Sequence, residues 1–515
     1  MVQSIRMILA RLRLWLEINS LLARFPVIRE LLKTFPGSEM YLVGGAVRDL
    51  LSDRPTKDYD FVVRNIPPDQ LEKFLSERGQ VDYVGRVFGV FKFMPKDKTH
   101  EEIEPLDIAL PRTEHVLAGS GAYKDFEVQS DYTLPITADL ERRDFTINAL
   151  AVNLATKQLL DPHGGLKDLE QELLRTVGDP TARLSEDYSR ILRGLRFACQ
   201  LKFKIEEQTW HEMRRLILEH VFTKKINEQW VVPRETIGKE FVKALYFHPS
   251  QAFALFERSG VFKTLLPEIE AMKGCPQPLP WHGEGDVFVH TEMAVRHLDG
   301  SPLWQKYFND QKPSALTCVT VLLHDIAKPP CLKTPERDGT DRIRFDEHEP
   351  VGAKMALEIC ERLGLSSWDA NSPLHVNPDK LAWLIGHHLI LLHADPDTMR
   401  NTTIERYFFN PNNPGPELLE LSLCDTGATI HEDTNLPYLD SLDAMLRRIK
   451  ELAKLQAEKN RLPPPLLDGN EIMEILHLAP GPEVGALLNE LRERQLSGTI
   501  KTKEAAQQFI IHRGL

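Results

Sequence analysis

The sequence has no run of about 18 or more uncharged apolar residues, which argues against a membrane-spanning helix. Cysteine is scarce: six residues in 515, none of them in a CxxC pair. That speaks against a disulfide framework and against a zinc knuckle, and it fits a reducing cytoplasm. No repeat at a fixed period is found. Positive charge is not in excess either. A formal net charge of -12 argues against a generally basic nucleic-acid binder but leaves room for a local basic face, because binding depends on where Lys and Arg cluster.

What is present is ordinary soluble material in quantity. With 42% hydrophobic and 27% charged residues, a chain of 515 should build several globular domains. The first 35 residues are Arg-rich and amphipathic, but Glu17 and Glu30 interrupt the basic run and no small-residue cleavage site follows. They are expected to form a surface helix pair rather than a targeting segment. From about Glu39 to Asp161, short β-like runs (MYLVGG, DYDFVV, VDYVG, VFKFM, IEPLDIAL, NALAVNL) mix with helical stretches such as PDQLEKFLSERG, an α/β unit. Beyond it the periodicity is helical to the C-terminus, broken by Gly/Pro-rich GCPQPLPWHGEG and RLPPPLLDG.

The first chemical signal is YLVGGAVRDLLSDRPTKDYDFVV. If KDYDFVV runs into a strand, Asp58 and Asp60 share a face with Cα atoms about 7 Å apart. Two like charges there call for a cation, and Mg²⁺ suits carboxylates that share it with substrate phosphates. Gly44 and Gly45 offer a turn whose backbone N–H groups can approach a phosphate, with Arg48 just beyond. IEPLDIAL adds Asp107, a third acid on a second strand-like run, and LERRDFTINALAVN sets Arg142, Arg143 and Asp144 before another strand. This set suits nucleotidyl transfer, where the barrier lies mainly in positioning a triphosphate and neutralising its charge.

In order along the chain, YLVGGAVRDLL…DYDFVV, RRDFTINALA, LLDPHGGLKDL and EDYSRILRGLRFACQLKFKI resemble the signature of class II CCA-adding enzymes, the tRNA nucleotidyltransferases, and of the related bacterial poly(A) polymerases. The match covers roughly residues 39 to 270. The resemblance implies a polymerase-β-like α/β head followed by mainly α-helical neck, HD and tail domains. It implies that Asp58 and Asp60 hold catalytic Mg²⁺, that Arg142, Arg143 and Asp144 contact ribose and triphosphate, and that the segment around Asp161, Gly164 and Gly165 is a hinge. Glu186, Asp187 and Arg190 would read the incoming base. On one helix these are i,i+3 and i,i+4 neighbours able to brace one another. An aspartate accepts from the amino group that both C and A carry, and an arginine donates to ring acceptors. Arg193 and Arg196 continue the spacing, facing either triphosphate and RNA or solvent. Lys224, Lys225 and Arg234 invite the same two readings. One departure from the family pattern is Ser52-Asp53 where a glycine usually follows the leucines.

A second set lies in HGEGDVFVHT, VLLHDIAKP, FDEHEPVGA, LIGHHLILLH and LCDTGAT. It resembles the HD phosphohydrolase superfamily, which some bacterial CCA-adding enzymes carry after the neck. The resemblance implies His290, His324, Asp325 and Asp425 as core metal ligands, with His348 and either His387 or His388 at a second metal position. Imidazole and carboxylate ligands suit Ni, Mn, Co or Fe. The expected division is a helical extension (1–38), head (39–160), neck selecting nucleotides and binding RNA (161–275), HD domain (276–430) and a C-terminal helical tail touching tRNA (431–515). The expected activity is CCA addition to tRNA from CTP and ATP, with an HD phosphohydrolase activity on RNA-end phosphates beside it. Poly(A) polymerase, CC-only and A-only enzymes are the alternatives. The long polar stretch between Arg112 and Arg142 reads as a flexible loop of the kind full CCA addition needs, and recognition of tRNA is expected by shape and backbone.

Overall fold

The computed structural model describes residues 2–56, 58–84, 89–96, 105–116, 126–392, 395, 398–459 and 464–513. They form two compact units, one of residues 1–247 with 254–265 and one of 248–253 with 266–515.

The first unit is built on strands β1 (Glu39–Val43), β2 (Asp60–Arg64), β3 (Gly79–Val84), β4 (Val90–Pro95), β5 (Leu106–Ala109), β6 (Arg112–Val116), β7 (Phe126–Ser130), β8 (Ala151–Asn153) and β9 (Leu159–Leu160). Seven of them make one mixed sheet in the order β3-β4-β5-β2-β1-β8-β9. Its β2–β5 pairing is parallel and sets Asp60 opposite Asp107. The alternation of β4 and β5 buries Phe91, Phe93, Leu106 and Ile108 on one side, as a half-buried strand requires.

Two expectations change here. The N-terminal helices Val2–Arg24 and Pro26–Thr34 are not a surface pair. Leu14, Ile18, Leu21, Leu22, Phe25, Ile28 and Leu31 are buried in the same core as the sheet. At about 2 kcal/mol for each buried side chain of this size, that face binds the helices to the head. The apolar stripe was visible, but what it packs on is a tertiary matter. Second, the stretch from Arg112 to Arg142 is not all loop. β6 and β7 pair antiparallel from Arg112↔Ser130 to Val116↔Phe126, and Ile136–Glu141 is helical. Residues 117–125, the middle of the expected loop, lie outside the described residues.

The rest of the first unit is helical. In Ser189–Leu201 the apolar side chains Ile191, Leu192, Leu195 and Ala198 are buried at helical spacing. A Cβ on Gly194 would come within 2.3 Å of Met213 Cε and 2.9 Å of Phe145 Cζ, so a larger residue here would require both side chains to move.

The second unit is all helix in its main elements. Ala315–Leu323 is buried along its whole length and carries only two polar side chains, Thr317 and Thr320, as expected of a helix through the middle of a domain. Ser314 caps it by accepting from Thr317 N at 3.0 Å, and Asp286 caps Val287–His297 by accepting from Val289 N at 2.9 Å. Near the C-terminus, helices Gly469–Leu476, Pro482–Leu496 and Lys503–Arg513 close a small core around Ile472, Leu491 and Ile510. A capping box of Asp468 and Glu471 starts the first of the three. No described helix is long and apolar enough to cross a membrane.

Candidate active sites

In the head, β2 begins at Asp60, so Asp58 lies in the segment leading into the strand rather than within it. The two acids are nonetheless electrostatic neighbours. Asp60 reaches solvent, yet its pKa is raised, first by desolvation from the protein around it. Arg143 opposes the rise, and the negative charges of Asp107 and Asp58 add to it. Three carboxylates within electrostatic reach of one another, one of them partly desolvated, fit a site for a hard cation with oxygen ligands.

The glycine pair serves this site by making room. Gly44 has φ 71°, and a Cβ there would fall 2.5 Å from Arg143 Nη1. Its N–H is already donated to Leu150 O at 3.0 Å, so it is not the phosphate donor the motif suggested. Gly45 opens the helix Gly45–Leu51. Asp53 adopts the left-handed conformation, φ 58°, that a glycine would take with least strain after the leucines.

Arg48 is buried and holds Asp49 through Nε at 2.8 Å and Nη2 at 2.9 Å, with Nη1 on Asn148 Oδ1 at 2.6 Å. Arg142 and Arg143 share the buried Asp139, at 2.7 and 3.0 Å. Burial alone would raise Asp139; the guanidiniums of Arg143 and Arg142 more than offset it and hold the carboxyl below its usual range. Asp144 is likewise enclosed. Its Oδ2 accepts from Arg193 Nε at 2.9 Å and Nη2 at 2.7 Å, and its Oδ1 from Phe145 N at 2.8 Å and Asn148 Nδ2 at 3.0 Å. Burial pushes its pKa up, and Arg193 with Asn148 drives it well below the carboxylate range.

The expected single helix through Glu186, Asp187 and Arg190 is interrupted. One helix ends at Glu186, Asp187 is extended at φ -143°, ψ 105°, and the next starts at Ser189. Asp187 Oδ1 accepts from Ser189 N at 2.8 Å, while Oδ2 has no hydrogen-bond partner among the described residues. The Glu186–Arg190 brace forms at 2.6 Å across this break, and Arg190 also donates to the carbonyls of Arg183 and Arg142 at 2.9 and 3.1 Å. Arg193 and Arg196 are not a solvated face. Arg196 is buried, pairs with Glu240 at 2.8 Å and lies 3.6 Å from the Phe197 ring. Lys225 and Arg234 both lie over the Trp230 ring, at 4.3 and 3.4 Å. Sequence reasoning missed Asp139 and Asn148, which orient the arginines. It also missed Lys243, whose pKa burial lowers and which feels Asp58. An acid three and four residues before an arginine pair was the available signal for Asp139.

Among the described residues, the groups of three or more His, Cys, Asp or Glu donors that close within 4.8 Å all lie in the second unit. Asp325 is central to them. Its Oδ2 is 3.3 Å from His324 Nε2 and 3.8 Å from His290 Nε2; its Oδ1 is 3.8 Å from both His348 Nε2 and His388 Nε2. Asp425 Oδ1 is 3.0 Å from His290 Nε2 and 3.8 Å from His324 Nε2. All four imidazoles turn Nε2 inward because Nδ1 is engaged elsewhere. His324 binds Val321 O at 2.8 Å, His348 binds Phe345 O at 2.8 Å, His388 binds Ile385 O at 2.7 Å, and His290 binds Glu284 Oε1 at 2.8 Å. Fixing the tautomer through Nδ1 is how proteins present imidazole to a metal.

The set fits a divalent cation. His324 Nε2 and Asp325 Oδ1 are buried without a hydrogen-bond partner among the described residues. Burial pushes His388 down to about 4, so it is neutral. Burial also pulls His290 down, but Asp425 and Glu284 reverse this and raise it to about 9, a measure of how strongly these carboxylates attract positive charge. His387 stands apart: its Nδ1 binds Trp383 O at 2.7 Å and its ring stacks on Trp383 at 4.5 Å. The histidine that joins the cluster is His388. Glu284 and Lys328, whose Nζ is 2.7 Å from Asp325 Oδ2, went unnoticed in the sequence.

A poly(A) polymerase head-domain family model matches residues 40–175, and an HD-domain model matches residues 289–426. The fold and sites thus define a nucleotidyltransferase head and an HD domain on one chain. The multifunctional CCA protein of Haemophilus influenzae (strain PittGG) is 29% identical over 90% of this chain and 98% of its own length. The A-adding tRNA nucleotidyltransferase of Deinococcus radiodurans is 32% identical over 75% of this chain and 81% of its own. The fold resembles that of the Thermotoga maritima CCA-adding enzyme complexed with tRNA, with a TM-score of 0.54 and 19% identity over 98% of this chain and 94% of that one. The chain belongs to the tRNA nucleotidyltransferase and poly(A) polymerase family, in its HD-bearing form.

Proposed function

We propose that this enzyme adds CCA to the 3′ end of tRNA from CTP and ATP without a nucleic-acid template. The observation that carries the reading is the β2–β5 register, which sets Asp60 beside Asp107, next to Asp58 and Arg143. In each cycle the terminal ribose hydroxyl oxygen bonds the α-phosphorus, the bond to pyrophosphate breaks, and the hydroxyl proton passes to solvent water. Asp58 and Asp60 would hold Mg²⁺, which when bound would neutralise charge on the triphosphate and make the attacking hydroxyl more acidic. The chain's own part is placement. Arg142 and Arg143, fixed by Asp139, face the ribose and triphosphate, and Asp144 with Arg193 holds the following segment rigid. Asp187 Oδ2 accepts from the amino group of C or A, with Glu186 and Arg190 bracing it.

Residues 39–160 carry the chemistry, 161–275 selection and RNA binding, 276–430 the HD activity and 431–515 further tRNA contact. The HD cluster suits Ni, Mn, Co or Fe. It is assigned hydrolysis of phosphate esters at RNA ends: a water oxygen bonds phosphorus, the ester bond breaks, and the departing ribose oxygen takes the proton. A reducing cytoplasm suits the six free cysteines. An A-only activity is the second reading, favoured by the 32% identity to the A-adding relative.

Incorporation on a tRNA transcript lacking its 3′ end, resolved to single nucleotides, tests this. CTP and ATP together should give two C, one A and a stop. Unbounded A addition would make the enzyme a poly(A) polymerase, and A alone on a CC-ended transcript, without C addition, would make it A-only.

A further inference from the structure

The helix Ile136–Glu141 ends immediately before the arginine pair of the head, and a helix C-terminus leaves carbonyls without partners inside the helix. Two carbonyls at this end are met by guanidiniums from the segment around Glu186. Arg183 Nη2 donates to Glu141 O at 2.7 Å, and Arg190 Nη2 to Arg142 O at 3.1 Å. Positive charge suits that end of a helix dipole. The same two arginines converge on one atom: Glu186 Oε2 accepts from Arg183 Nη1 at 2.7 Å and from Arg190 Nη1 at 2.6 Å. Arg183 has a third hold through Nε on Val177 O at 3.1 Å, and Val177 N donates in turn to Asp144 O at 3.2 Å. Its guanidinium is thereby tied to three separate segments.

From this we infer that Arg183 is a positioning residue for nucleotide selection: it locks the turn that holds Asp187 to the helix end that leads into Arg142 and Arg143. The inference rests on the CCA-adding reading, in which Asp187 accepts from the amino group of C or A while Arg142 and Arg143 face the triphosphate, and it names the residue that sets the span between them. A nucleotide has a fixed reach. With its triphosphate on the head, its base meets Asp187 only where that span is held. Asp187 follows Glu186 directly and is extended, so anchoring Glu186 anchors the carboxylate beside it. Without Arg183, Glu186 would keep Arg190 alone and the Glu141 carbonyl would lose its donor. A lysine could not take over, because one ammonium lacks the planar fork that serves acceptors on three sides.

The test uses the full-length chain and two tRNA transcripts, one lacking CCA and offered CTP or UTP, the other ending in CC and offered ATP or UTP. Arg183→Ala should lower kcat/KM for CTP and for ATP about tenfold, with the larger part in KM. For UTP it should hardly move, because uracil presents a carbonyl where cytosine presents an amino group and gains nothing from Asp187. Arg183→Lys, which keeps the charge and loses the fork, should recover part of the loss. On an Asp187→Ala background, Arg183→Ala should cause no further loss. Equal falls on all three nucleotides, or a fall on none, overturn the inference. Should Arg183→Ala fail to fold, Arg183→Gln, which keeps most of the stem, carries the same comparison. If the unsubstituted chain adds only A, the CCA-adding reading fails and the ATP–UTP comparison alone decides Arg183. If it incorporates nothing, the transferase reading fails and Arg183 is judged by calorimetry. The unsubstituted chain should then bind CTP and ATP more tightly than UTP, and Arg183→Ala should erase the difference; a difference that is absent at the start, or that survives the substitution, overturns the inference as well.

Discussion

The head and the HD cluster gather their candidate metal-holding acids in opposite ways. In the head, Asp58 and Asp60 are two residues apart, and one parallel strand pairing brings Asp107 to Asp60. The acids are accessible, and the nearby arginines are tied to buried carboxylates such as Asp139 and Asp144. In the second unit His290, Asp325, His348, His388 and Asp425 come from distant segments and meet in a buried cluster, with backbone carbonyls or Glu284 setting the imidazoles. An open acidic face can exchange a metal-bound triphosphate at every cycle. A dry imidazole site favours retention of its ion.

The strongest break of this comparison is Asp58→Ala or Asp60→Ala. Removing a carboxylate that acts mainly in the transition state should lower CMP and AMP incorporation by about a thousandfold or more, while metal binding by the second unit is untouched. Labelled nucleotide incorporated into tRNA and metal content after gel filtration report the two halves separately. Loss of both properties together would mean the sites are not independent.

Next in size is the ion pair of buried Asp144 with partly exposed Arg193. Asp144→Asn leaves the partly exposed Arg193 guanidinium without its counter-charge and should cost about 2–3 kcal/mol, read as a fall in the thermal midpoint. Because the folded pKa of Asp144 is depressed, its stabilisation is present above the usual carboxylate pKa and is lost as pH falls below about 4. The variant should lack that acid limb.

Glu420 in the second unit behaves in the opposite sense. Burial raises it to about 7, with Thr317 donating to Oε2 at 2.5 Å. A raised carboxyl favours the folded state most below its unfolded pKa, and that advantage declines as pH rises through the folded value. Glu420→Gln should remove the decline between about pH 4.5 and 7, a difference of up to about 3 kcal/mol at pH 8 by chemical denaturation. Equal pH profiles for the two proteins would show that Glu420 is charged in the fold. Smallest is Glu284→Gln: loosening the His290 tautomer should weaken divalent-ion binding by about ten- to a hundredfold, measured by competition with a chelating dye.

Legibility followed locality. The strands from MYLVGG to NALAVNL, the helical remainder and the order of the motifs could be read because apolar periodicity and turn residues are local properties. The β6–β7 hairpin was missed because its polar, glycine-containing sequence carries a weak alternation. Asp187 was placed on a helix because i,i+3 spacing is compatible with one; the carboxylate instead caps Ser189 N and ends the preceding helix. The choice between His387 and His388 could not be made from adjacent letters, since neighbouring side chains on a helical turn point roughly 100° apart and the packing of the segment decides which one faces inward.

By itself the sequence determined the α/β head, the helical regions after it, the acid pair, the arginine motif and the histidine-aspartate set, since residue type and spacing fix which chemistry is available. Only the tertiary structure decided that the N-terminal helices belong to the head's core and that Gly44 makes room for Arg143. It alone brought His388 to the cluster and Arg183 to the carbonyl of Glu141. Each depends on contacts between segments far apart in the chain, and those are set by packing and burial rather than by neighbouring residues.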